Sequence, residues 1–200
     1  MGGGALAFAL WAGMAAAQDF PALYDVRGVA DGDVLNIRAT PDAGGDILGN
    51  YPPARTGVEV LRLSPDGRWA EVGLPEGNGW VATRYLAAVP QTEALSLPLR
   101  CSGTEPFWTL TLSDTEAGLR TPEADIPLKM TANMRARNGF TASLAEPDGT
   151  QWQVIAQVMQ CSDGMSDRMF GLRALVSGRG ANGAGEGPEI YAGCCTLEGG

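Results

Sequence analysis

The sequence predicts an all-β protein, a small barrel followed by a disulfide-stapled β-barrel or sandwich, and three observations carry that expectation. Apolar and polar residues alternate with period two in short segments: 34–39 (VLNIRA), 57–63 (GVEVLRL), 68–72 (RWAEV) and 79–83 (GWVAT), then 107–112, 126–132, 139–144, 150–159, 169–176 and 189–193. That is the pattern of half-buried strands, and no stretch sustains helical spacing. The 28 Gly and 13 Pro gather between these segments, where Pro fixes one φ and Gly supplies positive φ. All four cysteines lie after residue 100, which sets the second half apart.

Taken in order, residues 5–12 (ALAFALWA) form an apolar stretch followed by Ala15-Ala16-Ala17 and the polar Gln18-Asp19. This is a signal-peptide pattern, so 1–17 are expected to be removed and the mature chain to begin at Gln18 in the periplasm. The stretch is far shorter than the ~20 residues that span a bilayer, and no span is expected in the mature chain. The first domain is placed at 18–88, with turns at Pro41–Gly45, Tyr51-Pro52-Pro53, Ser64-Pro65-Asp66-Gly67 and Pro75–Gly79. A linker follows at 89–97, then a second domain at 98–200. Within it Gly139, Pro147-Asp148-Gly149, Ser162-Asp163-Gly164 and the run 177–187 (SGRGANGAGEG) are expected turns or loops. The last has neither the Lys nor the Ser/Thr of a phosphate cradle.

Cys101, Cys161, Cys194 and Cys195 are even in number in a chain that reads as exported, which implies two disulfides. A bridge between neighbours 194 and 195 would join Cα atoms ~3.8 Å apart, below the usual range of about 4.4–6.8 Å. Two pairings remain, 101–194 with 161–195, or 101–195 with 161–194. No CxxC spacing supports a thiolate metal site.

The chain has no histidine, which removes imidazole catalysis and His-ligated zinc or haem. Its net charge is −9, with −4 in residues 18–90 and −5 in 91–200, so neither half presents a basic face to nucleic acid. No cofactor and no metal are expected. The D-G-x-x-D segment from Asp163 to Asp167 supplies oxygen ligands, but a calcium loop needs more carboxylates at regular positions. Asp163 is expected to begin a turn, Asp167-Arg168 to form a local ion pair, and Glu105 to bond backbone donors before Pro106.

The strings DVLNIRATPDAGGDILGNY, TGVEVLRLSPDGRWAEV and NGWVATRYL resemble bacterial SH3-like domains over about 23–88. That resemblance implies a five- to seven-stranded barrel in an exported protein, with a peptide or cell-wall component as ligand. Asn36, Arg38, Trp69, Trp80 and Tyr85 are its candidate ligand residues, although Asn36 and Arg38 also suit a solvated or turn-bonding role and Trp80 is expected to pack. CSGTEPFWTLTL at 101–112, CSDGMSDRMFGLRALV at 161–176 and YAGCC at 191–195 resemble an uncharacterised family of bacterial envelope proteins over about 98–197. Glu105, Trp108, Asp163, Asp167 and Arg168 are the candidates there, expected to converge if the disulfides gather their segments. The reading is a non-enzymatic envelope protein that binds peptidoglycan or a cell-wall peptide. The alternatives are an inhibitor or assembly factor acting on another envelope protein, and an enzyme that works without histidine.

Overall fold

The computed structural model describes residues 20–90, 94–95, 97–179 and 189–198. The proposed signal peptide and most of the 177–187 run lie outside the described residues; Ser177, Gly178 and Arg179, expected in that loop, instead end a strand.

The chain is all-β. Strands β1 (Ala22–Val26), β2 (Leu35–Arg38), β3 (Ile47–Tyr51), β4 (Val58–Leu63), β5 (Trp69–Gly73), β6 (Asn78–Ala82) and β7 (Leu86–Ala88) form one antiparallel sheet in the order β3-β2-β6-β5-β4-β1-β7. A single 3-10 turn, Thr83–Tyr85, links β6 to β7. The β4–β5 connection shows why the sequence folds this way. Asp66 accepts from the Ser64 hydroxyl (2.6 Å) and from Arg68, Gly67 takes φ +69°, and the Trp69 N–H returns to the Ser64 hydroxyl (3.1 Å). Those bonds hold the Asp66 carboxyl down at about 2. Inward positions of each strand, such as Leu35, Ile37, Val58, Val60, Ala70, Val72 and Val81, fill one core.

The second half closes into an eight-stranded barrel. Its strands are β8 (Leu99–Thr104), β9 (Phe107–Leu112), β10 (Glu116–Arg120), β11 (Asp125–Ala136), β12 (Gly139–Ala145), β13 (Gln151–Ser162), β14 (Met169–Arg179) and β15 (Glu189–Leu197), in the order β10-β11-β12-β13-β14-β15-β8-β9. The interior is packed with Leu110, Leu112, Phe140, Leu144, Val154, Leu172 and their neighbours, as a barrel of this size requires. Tyr191 lies between two indoles, 6.0 Å from Trp108 and 6.1 Å from Trp152. Both indole N–H groups are satisfied, by Ala192 O and by the Glu146 carboxylate, so their burial leaves no orphan donor.

The disulfides are Cys101–Cys195 and Cys161–Cys194. Strand alternation selects this pairing of the two left open. Successive side chains leave opposite faces, so Cys195 points into the barrel, directly opposite Cys101 in register, while Cys194 joins Cys161 and Phe170 in a separate cluster. The Cα atoms of Cys101 and Cys195 are themselves 3.9 Å apart. Closeness of Cα atoms therefore does not argue against a vicinal bridge; the opposed directions of the two side chains do.

The two sheets share a seam. The Asn78 amide on β6 bonds the Met169 backbone both ways, donating to its carbonyl (3.0 Å) and accepting its N–H (2.6 Å). Glu59 on β4 accepts the Leu197 N–H of β15 (2.8 Å). Leu23 packs on the barrel core, and a Cβ on Gly171 would come within 2.9 Å of Pro21. In the segment read as a linker, Leu95 is buried in the barrel core with its N–H on Ala136 O (3.0 Å), so that stretch is partly docked rather than a simple tether.

Candidate functional site

Inward-facing Val72 and Val81 fix the phase of β5 and β6, and the residues between and beside them must face out. Trp69 and Trp80 are therefore both on the outer face of the first sheet, and Asn36 and Arg38 join them from β2. The expectation that Trp80 packs in the core is corrected here. Gly79 holds the inward position, where a Cβ would stand 2.5 Å from Ile37, and the indole is turned outward.

Asn36, Arg38, Trp69 and Tyr85 line one groove of about 350 Å³, with Val29 and Val34 of the β1–β2 loop as its other wall. Its frame is rigid. Arg38 donates to Gly45 O (2.8 Å) and so pins the β2–β3 loop; this is the turn-bonding role. The Tyr85 carbonyl accepts the Arg27 N–H (2.8 Å), and Thr83 ties the 3-10 turn to the β4–β5 hairpin through Gly67 O and Arg68 O. The Arg84 guanidinium lies 4.7 Å from the centre of the Tyr85 ring, while Asp33 stands in the groove's lining on the loop side. The groove thus combines two partly exposed aromatic rings, two apolar loop residues, a cation and an anion, held by bonds that need no ligand.

A family model described as bacterial SH3 domain matches residues 33–87. Over those residues the chain is similar to bacterial SH3 domains. No curated protein matches the chain, and no solved structure does. The match covers β2 to β7 and the 3-10 turn, hence nearly all of the groove; β1 and the barrel lie outside it. Val29, Val34, Asp33 and Arg84 were not singled out from sequence.

The candidates of the second half divide into four places. Glu105 and Asp163 do converge, in a cleft of about 880 Å³ at the barrel rim, floored by Gly103 and Gly193 and flanked by the exposed Phe107 and Met165. The Thr104 hydroxyl bonds Asp163 O (3.1 Å) and joins the two walls. Asp163 is committed to its own turn: it accepts the N–H groups of Met165 and Ser166 and the Ser166 hydroxyl, and those bonds lower its pKa. Glu105 is exposed and, among the described residues, bonds none of the backbone donors expected for it. Trp108, a ligand candidate from sequence, is 3% exposed in the barrel core and out of reach of any ligand. It packs on the glycines: a Cβ on Gly103 would lie 2.2 Å from its Nε1.

Asp167 and Arg168 part company, and the local ion pair expected between them does not form among the described residues. Arg168 turns into the seam, where its guanidinium sits 4.3 Å from the centre of the Phe170 ring and against Gly73, with Nε buried and lacking a hydrogen-bond partner. Asp167 faces a second cleft, of about 530 Å³, between the sheets, together with Trp80. Among the described residues no three potential metal ligands cluster, and no helix is long and apolar enough to cross a membrane.

Proposed function

We propose that this chain is a non-enzymatic, exported binding protein of the bacterial cell envelope, whose SH3 groove takes a peptide or cell-wall component. One observation carries the reading: Trp69 and Tyr85 belong to neither core's fully buried set, yet both line one groove whose frame is fixed by backbone hydrogen bonds. Partly exposed aromatic rings on a rigid frame are the usual anchors of recognition, because they add contact area at little conformational cost. A bacterial SH3 domain and two disulfides agree with an exported protein. The mature chain from Gln18 and a periplasmic location are part of this proposal, as is the second domain's kinship with the uncharacterised envelope family.

The barrel's part is to anchor the SH3 domain through the seam and to offer the rim cleft as a second surface. The exposed Phe107 and Met165 beside that cleft favour the alternative, an inhibitor or assembly factor that grips another envelope protein. Sedimentation of the mature chain with purified, protein-free peptidoglycan separates the two readings. A cell-wall binder enters the pellet; an inhibitor of another protein stays in the supernatant.

A further inference from the structure

The cleft between the sheets is separate from the SH3 groove, and nothing assigned above uses it. Its walls come from both halves of the chain: Trp80, Asn78 and Glu76 from the first sheet, Gln160, Asp167 and Met169 from the barrel. The paired bonds between Asn78 and Met169 fix the distance between these walls. We propose that this cleft is a binding site for a neutral oligosaccharide.

The aromatic platform comes first. Trp80 lies half-buried on the outer face and in neither core cluster, so part of its indole is open to the cleft. Its setting is nevertheless fixed. Arg62 lies 5.2 Å from the ring centre and is itself held by a two-pronged ion pair with Glu71, whose second contact is 3.2 Å. A pyranose presents a face of C–H bonds that stacks on such a ring, and a rim of hydroxyls that both donate and accept. The rim partners are present. Gln160 supplies a donor and an acceptor in one planar amide, and Asp167 and Glu76 supply paired acceptors; none of the three is engaged by another group of the protein among the described residues.

Charge then narrows the ligand. Arg62 and Glu71 cancel, which leaves Glu76 and Asp167 as uncompensated negative charges and disfavours phosphorylated or otherwise anionic ligands. An ammonium ligand would need the cation position at the indole, which the Arg62 guanidinium already holds, so two like charges would meet there. A neutral polar ligand with an apolar face satisfies both conditions. The volume of about 530 Å³ lies within the range of small-ligand sites and leaves room for a short run of sugars. Clefts where two packed units meet are common ligand sites, and this one is complete only when the seam is closed.

The proposal does not rest on the groove, and its test keeps the two apart. The intact mature chain, labelled with nitrogen-15, is titrated to millimolar concentration with chitotetraose, cellotetraose and maltotetraose in turn, and with a lysine-containing peptide as a cationic probe. At least one of the glycans is expected to shift the Trp80 indole N–H and the Gln160 side-chain amide saturably while the Trp69 indole stays in place. Asp167→Asn and Gln160→Ala should each weaken that binding by about tenfold, Trp80→Phe should retain part of it, and Trp80→Ala should abolish it. Trp69→Ala should leave it intact. No shift with any of the three glycans overturns the proposal, as does a shift that survives Trp80→Ala or one produced by the lysine peptide alone.

Discussion

Glu59→Gln tests the seam between the first sheet and the barrel. Glu59 is partly buried where β4 meets β15, and it accepts the Leu197 N–H. The Arg168 guanidinium, from the segment after the Asp163 turn, is the charge that reaches it, and the charge of Glu59 in turn reaches the Tyr51 phenol of β3. Burial raises its carboxyl from 4.5 to about 7, against the smaller opposing pull of the Leu197 N–H and Arg168. A carboxyl whose folded pKa is raised contributes stability that is fully present below 4.5 and is lost as pH climbs through 7. At about 1.4 kcal/mol per unit the ceiling is about 3 kcal/mol, and partial contact with solvent halves it to roughly 1.5 kcal/mol. The glutamine keeps an acceptor for Leu197 but cannot ionise. Thermal melts of the two proteins should coincide below pH 5, part as pH rises to 7 and stay apart above it, with the variant then higher by roughly 3–6 °C for a chain of this length. Parallel profiles across that range would refute the assignment of a buried, protonated carboxyl to the seam.

Three further outcomes follow from the packing. Breaking Cys101–Cys195 with Cys195→Ala, which opens a span of 94 residues, should cost about 4–5 kcal/mol, and breaking Cys161–Cys194 with Cys194→Ala, a span of 33, about 3–4 kcal/mol; nonreducing peptide maps and denaturant melts of the variants check both. Gly103→Ala forces a Cβ against the Trp108 indole and the Ala192 carbonyl, so it should lower stability by about 1–3 kcal/mol, read by the same melts. Residues 18–90 expressed alone should fold reversibly but melt lower than the SH3 domain of the intact chain, because Leu23 and Glu59 lose their barrel partners; an equal melting temperature would show that the seam adds nothing.

Much of the fold was legible because the physics that sets it is local. Alternation exposed most strands, and the turn chemistry of Ser64–Gly67 placed a hairpin where the structure has one. β3 escaped because Ile47 and Leu48 are adjacent and both exposed, which erases the period-two signal. The outward setting of Trp69 and Trp80 was within reach, since phasing β5 on Val72 and β6 on Val81 turns both indoles out. Alternation turns Cys194 and Cys195 to opposite faces, but which of them meets Cys101 is set by the register of β15 on β8, which joins positions 94 apart. The seam was out of reach: Asn78 and Met169 are 91 positions apart, Glu59 and Leu197 138, and no local pattern joins them. Trp108 misled for a related reason. A Trp beside Glu105 and Pro106 looks exposed in sequence, but register sets it opposite Gly103, whose missing side chain admits it to the core.

Whether Trp69 and Tyr85 anchor a ligand in the groove is decided by the dissociation constant of the mature chain for purified peptidoglycan, measured by sedimentation alongside Trp69→Ala and Tyr85→Ala. Both rings lie outside the fully buried core, so the Trp69 variant should melt within about 1 kcal/mol of the parent, as substitutions away from packed positions do. Loss of an aromatic anchor costs about 2 kcal/mol or more of binding, so each variant is predicted to bind at least about tenfold more weakly. If the parent stays in the supernatant, or if the variants sediment as it does, the groove is not the binding site and the account is contradicted.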